Sequence, residues 1–276
     1  MDDVTCQEVI DLNTALASNI DRSGPLPFWE SSGKVLPAEN SLLQLEINKL
    51  KDISDLREMK LNSQKTCLFI ANFTNSHQFK PLLKIPGATH TLEVVQEVKL
   101  LGYWFTSDMK AHRHVKFISS IVNKRMWAIS KLKHAGVSDS DLKYFYTMKI
   151  RSVLESACVV FHSMLTKGDR EDIERILKND TRTIMGDRYI SYSHSLVYLD
   201  LETLHERRKE RCLSFALKCL KDDRFKALFE LTPNAEYYFR ESSKRFKEPH
   251  CDTARYQSSP LVYLTSLLNN HFGSKS

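Results

Sequence analysis

Residues 112–136 read HRHVKFISSIVNKRMWAISKLKHAG, and this stretch decides the fold of the second half of the chain. Apolar residues recur along it at the spacing of one helical face, whereas most of the basic residues fall elsewhere. The apolar set is Val115, Ile118, Val122, Ile129 and Leu132. Gly136 is of the residue type that most often follows a last helical turn, because glycine adopts the left-handed conformation without strain. The pattern predicts an amphipathic helix from His112 that ends before Gly136.

The residues that follow predict further helices, each preceded by an N-cap signal. Ser138 and Thr203 are each followed three residues later by an acidic residue, which is the spacing of a capping box. Thr166 is a third N-cap candidate. The predicted helices run from Ser138 to about 164, from Thr166 to about 186, and over 192–199, 204–221, 223–230 and 260–270. The second half of the chain is therefore predicted to be α-helical.

The first hundred residues predict less regular structure. Gly24-Pro25-Leu26-Pro27 and Ser31-Ser32-Gly33 interrupt any periodicity and predict a loop over about 21–40. Apolar residues at helical spacing predict a helix over 41–57, and the compact apolar run at 66–73 predicts a strand. A second strand is predicted over Glu97–Phe105, after the Pro86-Gly87 turn. The predicted fold class is mainly α with a small β element.

Composition and charge narrow the class of protein. No run of about 18 apolar residues is present, which argues against a membrane partner, and the acidic start does not resemble a signal peptide. Six scattered cysteines are typical of reduced thiols, so we expect an intracellular protein, in nucleus or cytoplasm. Residues 1–60 hold 6 Lys/Arg against 11 Asp/Glu, and the remaining residues hold 34 against 23. A basic body of this kind suits a polyanionic partner, although a solvated lysine-rich surface explains it as well.

Several short motifs occur along the chain in a fixed order. Asp2-Asp3 is followed by Val4-Thr5, residues 59–66 read MKLNSQKT, and residues 98–102 read VKLLG ahead of His114-Val115. Further motifs are RSVLE at 151–155, LT at 165–166, IMG at 184–186, LHERR at 204–208, SPLVYL at 259–264 and LN at 268–269. In this order they resemble the reverse transcriptases of non-LTR retrotransposons, from the Asp-Asp box through the Leu-Asn-x-x-Lys-Thr segment and the Leu-Gly primer grip to the closing segment.

The resemblance implies a domain organisation and a function. Residues 1–108 resemble a partial polymerase palm with an irregular insertion at about 11–40, residues 109–165 helices of the thumb, and 166–276 the C-terminal helical region. The resemblance implies catalytic roles for Asp2, Asp3 and Lys65, with Asp2 and Asp3 as part of a Mg²⁺ site and an RNA or DNA template–primer as the partner. Two-metal nucleotidyl transfer needs carboxylates from more than one strand. The family's upstream aspartate is not in this sequence, so we expect a remnant of an RNA-directed DNA polymerase that is inactive as an isolated chain.

Basic residues near aromatic ones form the candidate nucleic-acid-binding set. Cations beside aromatic rings suit contact with phosphates and stacking on bases. The aromatic residues are Tyr103, Trp104, Phe117 and Trp127. The candidates are Lys99, Gly102, Arg113, Lys116, Lys124, Arg125 and Lys131. The competing interpretation places Trp127 and Phe117 in the core and makes the lysines a solvated face.

Two further functions are open at this point. One is a nucleic-acid-binding helical module derived from a retroelement, and the other is a helical scaffold with no nucleic-acid role. Cys158 and His162 share a helical face, but structural zinc needs four ligands in paired spacing. We therefore expect Cys158 to be buried between helices rather than to bind a metal.

Overall fold

The computed structural model describes residues 42–71, 82–231 and 246–273, together with the backbone of two short antiparallel strands, β1 (Trp29–Glu30) and β2 (Gly33–Lys34). Most of the loop predicted over 21–40 therefore lies outside the described residues. The chain divides into two compact units, Met1–Met109 and Lys110–Ser276. The described part is mostly helical with a few short strands, which confirms the predicted class of mainly α with a small β element.

In the first unit, one helix packs on a small apolar core. This helix, α1 (Leu42–Leu56), matches the prediction for 41–57. β3 (Cys67–Phe69) pairs in parallel with β4 (Glu93–Val95), and β3 is shorter than the strand predicted over 66–73. The Gln44 side chain donates to the Lys84 carbonyl at 2.8 Å and accepts from the Lys84 amide at 3.0 Å, which fastens α1 to the chain that leads to β4. The core residues are Leu68, Leu83, Ile85 and Leu92, with Leu43 and Ile47 of α1 packed against them.

The strand predicted over Glu97–Phe105 was wrong, because this segment is a hairpin. β5 (Glu97–Leu100) pairs antiparallel with β6 (Tyr103–Thr106). The two turn residues both have positive φ, 48° at Leu101 and 86° at Gly102. This backbone matches the twist of the flanking strands, and glycine adopts it without a steric cost. A glycine inside an apolar run was thus the signal for a turn.

The second unit contains only helices and the turns between them among its described residues, apart from one isolated β-bridge between Leu231 and Phe246. In chain order the helices are α2 (His112–His134), α3 (Asp139–Phe145), a π-helix (Tyr146–Arg151), α4 (Ser152–Glu155), α5 (Cys158–Phe161), α6 (Lys167–Met185), a 3₁₀ turn (Gly186–Arg188), α7 (Tyr192–Tyr198), α8 (Leu204–Cys219), α9 (Asp223–Lys226), α10 (Ala254–Gln257) and α11 (Pro260–Gly273). α2 packs against α6, and α8 against α11.

α2 has the bounds and the buried face that its sequence predicts. Val115, Ile118, Val122 and Ile129 are buried, and Leu132 is half-buried. Gly136 has φ 82°, and its amide donates to the Lys133 carbonyl at 3.0 Å. The next amide, of Val137, donates to the Leu132 carbonyl at 3.1 Å, so the helix ends in a Schellman motif.

The N-caps predicted at Ser138, Thr166 and Thr203 are all present. Each side chain accepts a hydrogen bond from the backbone amide three residues later. At Thr166 the Asp169 carboxylate also accepts from the Thr166 amide, which completes a capping box. Each cap satisfies an amide that the first helical turn leaves without a partner, and so fixes where its helix begins.

The single helix predicted from Ser138 to about 164 was wrong beyond Glu155. Ser156 is extended and Ala157 has a left-handed φ of 55°, after which α5 begins. The Glu155 side chain is 2% exposed, and its carboxylate accepts from Arg207 Nε at 2.7 Å and lies 2.6 Å from Arg211 Nε, both on α8. Contacts with a distant helix thus outweigh the local helical preference. The break is followed by Cys158, which is buried as expected.

Candidate nucleic-acid interface

α2 carries positive charge along its whole length. Its 23 residues contain six Lys or Arg and no Asp or Glu. The apolar face is covered by the helices that pack on it, so the basic residues lie on the flanks and on the solvent side. A helix of this composition repels itself electrostatically, and that cost falls when a polyanion binds.

The solvent side of α2 carries three lysines and a tryptophan. Lys116, Lys124, Trp127 and Lys131 are exposed, and these four residues are called the basic face. Lys124, Trp127 and Lys131 lie close together because residues three, four and seven apart share a helical side, and Lys116 lies on the same side about two turns before Lys124. Ser120, Asn123 and His134 are exposed on the same side, and the sequence interpretation missed them. A helical projection centred on Trp127 would have found them.

Trp127 is the aromatic residue of the basic face, and it is not part of the core. Its side chain is 66% exposed, so the interpretation of Trp127 as a core residue was wrong. Trp127 lies two residues before the buried Ile129, which turns it about 200° around the helix axis. Lys131 Nζ lies 5.5 Å from the centroid of the indole ring, within the range of a cation–π contact. Phe117 is half-buried.

The carboxylates that pair with α2 lie at its two ends. His112 Nδ1 is 2.9 Å from the Asp169 carboxylate, and Lys133 Nζ is 2.8 Å from Asp139. Burial alone would raise the pKa of Asp169, but hydrogen bonds from His112 and Thr166 outweigh it and lower that pKa below its ordinary value. Within the described ranges, no carboxylate lies within ion-pair distance of Lys116, Lys124 or Lys131, so their charge remains available.

The two arginines predicted on α2 are less exposed than the three lysines of the basic face. Arg113 and Arg125 are both half-buried. The Arg125 guanidinium donates to the carbonyl of Lys149 in the π-helix, so Arg125 also holds two helices together. Lys149 itself is exposed, which adds one more positive charge near this edge of α2.

A basic cleft lies beyond the C-terminal end of the basic face. It has a volume of about 650 Å³ and lies between the end of α2 and the end of α6. Lys133 and Arg188 both pair with Asp139, which fixes their positions in its wall. Other lining residues include Ser130, His134, Arg182, Gly186 and Asp187. The sequence gives no signal for this cleft, because its walls come from separate helices.

The candidate residues of the first unit lie on its turns and its hairpin. Asn62 Oδ1 accepts from the amides of Gln64 at 3.0 Å and Lys65 at 3.2 Å, which closes a turn before β3 and leaves Lys65 exposed. Lys99 on β5 lies opposite Trp104 on β6. Gly102 is exposed in the hairpin turn.

The predicted metal residues cannot be placed with the others. Asp2 and Asp3 lie outside the described residues. Within the described ranges, no group of three or more His, Cys, Asp or Glu side chains is arranged to hold a metal ion. Membrane spans were sought in the same ranges, and no helix there combines the length and the apolar character needed to cross a bilayer.

The sequence and the structure were also compared with known proteins. No protein-family model matches the chain, and no match was found among curated proteins or among solved structures. The geometry of the described residues therefore carries the functional argument.

Proposed function

We propose that the chain binds nucleic acid through the basic face of α2. The observation that carries the proposal is the exposed Trp127 between lysines whose charge no described carboxylate neutralises, on a helix without acidic residues. Lysines bind phosphates and release the counterions condensed on them, which gives affinity without base specificity. An exposed aromatic ring adds stacking, which any base can supply.

The resemblance to retroelement reverse transcriptases gives this interface a role. In that family the helices after the primer grip form the thumb, which holds the template–primer by its backbone. We therefore propose a thumb-like role for residues 109–165, with a partial palm before them and a C-terminal helical region after them. The partner class is an RNA or DNA template–primer. The chain is accordingly proposed to be a remnant of an RNA-directed DNA polymerase.

The alternative function is a helical scaffold whose lysines serve only solubility. Charge reversal separates the two functions, because a scaffold tolerates it whereas a phosphate-binding face does not. The test variant is Lys116→Glu/Lys124→Glu/Lys131→Glu. Arg125 is left unchanged because its guanidinium also holds the π-helix, so its loss would confuse binding with folding. The matched control is Lys167→Glu/Lys178→Glu/Lys221→Glu, which makes the same charge change at exposed positions off α2.

The assay is fluorescence anisotropy of a labelled template–primer over a range of salt concentrations. Three phosphate contacts contribute a slope of about 2.7 to the fall of log K with log salt on a duplex. We expect the test variant to lose that part of the slope and to weaken binding about 100-fold or more in 0.1 M salt. The control should retain the wild-type slope. A flat salt response of the wild-type chain, or equal losses in both variants, would contradict the proposal.

The polymerase step is a separate matter from binding. In the family, the residues that match Asp2 and Asp3 hold Mg²⁺ and the residue that matches Lys65 acts on the leaving pyrophosphate. Two-metal transfer needs carboxylates from more than one strand, and we propose that this chain binds a template–primer without extending it. Primer extension with Mg²⁺ or Mn²⁺ tests this proposal. Incorporation of nucleotides by the purified chain would show that it is an active polymerase.

A further inference from the structure

We infer that the basic face of α2 recognises an unpaired nucleotide, whose base stacks on Trp127 while Lys124 and Lys131 hold the phosphates on either side. The inference rests on the proposed function and specifies it, because it names single-stranded nucleic acid or a single-stranded overhang as the preferred ligand.

An indole that is 66% exposed leaves a large apolar surface in water. Tryptophan is highly buried on average, so an exposed one in the middle of a well-packed helix is informative. Lys131 Nζ lies 5.5 Å from the ring centroid, so a cation already approaches the π system. A base that stacks on this ring would cover apolar surface and lie beside a positive charge.

A duplex offers little to such a ring. Its bases are already stacked and paired, and proteins hold its backbone through charges and hydrogen bonds to phosphates. Unpaired bases can be splayed out and stacked on aromatic side chains. The lysines alone would thus bind the phosphates of a duplex and of a single strand equally well. Stacking on Trp127 adds affinity only for unpaired bases, so it favours the single strand.

The spacing along α2 suits one nucleotide between two phosphates. Lys124 lies three residues before Trp127 and Lys131 four residues after it, so both lysines share its side of the helix. The two lysines are about 10.5 Å apart along the helix axis. Lys131 Nζ already lies 5.5 Å from the ring centroid, and Lys124 is exposed about one turn before the ring. A strand whose base stacks on the indole therefore has one lysine on α2 before that base and one after it.

A single strand bound along α2 could extend into the basic cleft at the C-terminal end of the helix. His134 is exposed seven residues after Trp127, on the same side of α2, and it also lines the cleft. Arg182 at the end of α6 and Arg188 in the 3₁₀ turn after it lie in the opposite wall. Arg188 is held there by its ion pair with Asp139. Arg188 is thus already paired with a carboxylate, whereas Arg182 is exposed and has no carboxylate partner among the described residues, so Arg182 is available to the next phosphate along the strand.

The experiment compares one variant on two ligands. Labelled oligothymidylate of 12 nucleotides and a blunt two-stranded DNA duplex are titrated with the wild-type chain, Trp127→Ala and Trp127→Phe. Tyr144→Ala is the matched control, because Tyr144 is an aromatic residue on α3 that is 67% exposed. Stacking on one base is worth about 5- to 150-fold in affinity. We expect Trp127→Ala to weaken binding of the single strand by about tenfold or more, and binding of the blunt duplex by less than about threefold.

Trp127→Phe keeps an aromatic ring and separates stacking from folding. It should retain most of the affinity for the single strand but lose the quenching of intrinsic fluorescence that the oligonucleotide causes in wild type. Trp29 and Trp104 remain in that variant and give the background signal. Tyr144→Ala should leave the binding of both ligands and the quenching unchanged.

The outcomes separate the inference from the proposed function. Equal losses on the two ligands, or no loss on either, overturn the inference, whereas the proposed function survives if the lysine variant still binds more weakly than its control. If the wild-type chain binds neither ligand, both the inference and the proposed function are wrong. Sedimentation experiments test whether the indole instead mediates self-association. If the wild-type chain is a dimer, Trp127→Ala is a monomer, and the ratio of the affinities for the single strand and the duplex is unchanged, the inference is wrong.

Discussion

Replacement of Glu155 by glutamine tests the ionic contact that holds α4 to α8. The side chain of Glu155 is 2% exposed, and its carboxylate lies 2.7 Å from Arg207 Nε and 2.6 Å from Arg211 Nε. A third arginine, Arg151, lies 3.8 Å away. Glutamine keeps the shape but presents an amide group to two guanidinium groups. One of the two close hydrogen bonds then becomes a contact between two donors.

The magnitude follows from the exposure of the two partners. A charge-assisted hydrogen bond contributes about 1.5–3 kcal/mol net. Arg207 is 22% exposed and keeps most of that value, whereas Arg211 is 52% exposed and is partly screened by water. We therefore expect Glu155→Gln to lower the free energy of unfolding by about 3 kcal/mol, within the range for removing one partner of a buried pair. The measurement is urea unfolding followed by helical circular dichroism.

Glu202→Gln is the matched control, because Glu202 pairs with the same Arg207 at 3.2 Å but is 61% exposed. An exposed pair contributes about 1 kcal/mol or less. The reasoning is refuted if the two variants lose the same stability, since burial of the carboxylate would then have no energetic consequence.

Two further substitutions, Ala157→Gly and Asp180→Asn, test the backbone strain and the buried charge of the second unit. Ala157→Gly should raise the free energy of unfolding by about 1 kcal/mol, because Ala157 has a φ of 55° that glycine adopts without strain, and an unchanged or lower stability in the same urea assay would contradict this. Burial raises the pKa of Asp180 to about 7, so the folded chain keeps a proton that the unfolded chain releases, and stability falls as pH rises from about 4 to 7. Burial, followed by the charge of Arg208, lowers the pKa of His162 to about 3. The unfolded chain therefore binds a proton at His162 that the folded chain does not, and the free energy of unfolding rises with pH up to about 6.5. In the wild-type chain this rise offsets the fall caused by Asp180. Asp180→Asn should remove the fall caused by Asp180 and leave the rise caused by His162. The free energy of unfolding of the variant should exceed that of wild type by up to about 4 kcal/mol at pH 8 and differ little at pH 4. Parallel curves of unfolding free energy against pH for the two proteins would refute this reasoning.

The sequence predicts those parts of the fold that depend on neighbouring residues. The end of α2 at Gly136 and the caps at Ser138, Thr166 and Thr203 are local, so their residue types determine the outcome. The break at Ser156-Ala157 has no such signal, because no glycine or proline stands there and the cause lies on α8. Tertiary contacts therefore set this helix boundary, and the helix predicted over 223–230 was also too long, since α9 ends at Lys226.

The candidate site likewise has features that the sequence predicts and features that only the structure shows. The charges of Lys116, Lys124 and Lys131 are evident from the sequence, and so is their helical spacing. The exposure of Trp127 is not evident in the same way, because an aromatic residue in an amphipathic helix can lie on either side. The cleft between α2 and α6 requires two helices that are distant in sequence to meet, so only the structure shows it.

The most direct measurement of nucleic-acid binding by α2 is lysine footprinting. The chain is labelled with an acetylating reagent, with and without a saturating template–primer that carries a single-stranded overhang, and each lysine is quantified by mass spectrometry. We predict that Lys116, Lys124 and Lys131 are protected by the ligand, because their ammonium groups contact phosphates. Lys167, Lys178 and Lys221 should label at the same rate in both samples. Uniform protection of all six lysines, or protection of the second set alone, would contradict binding through the basic face.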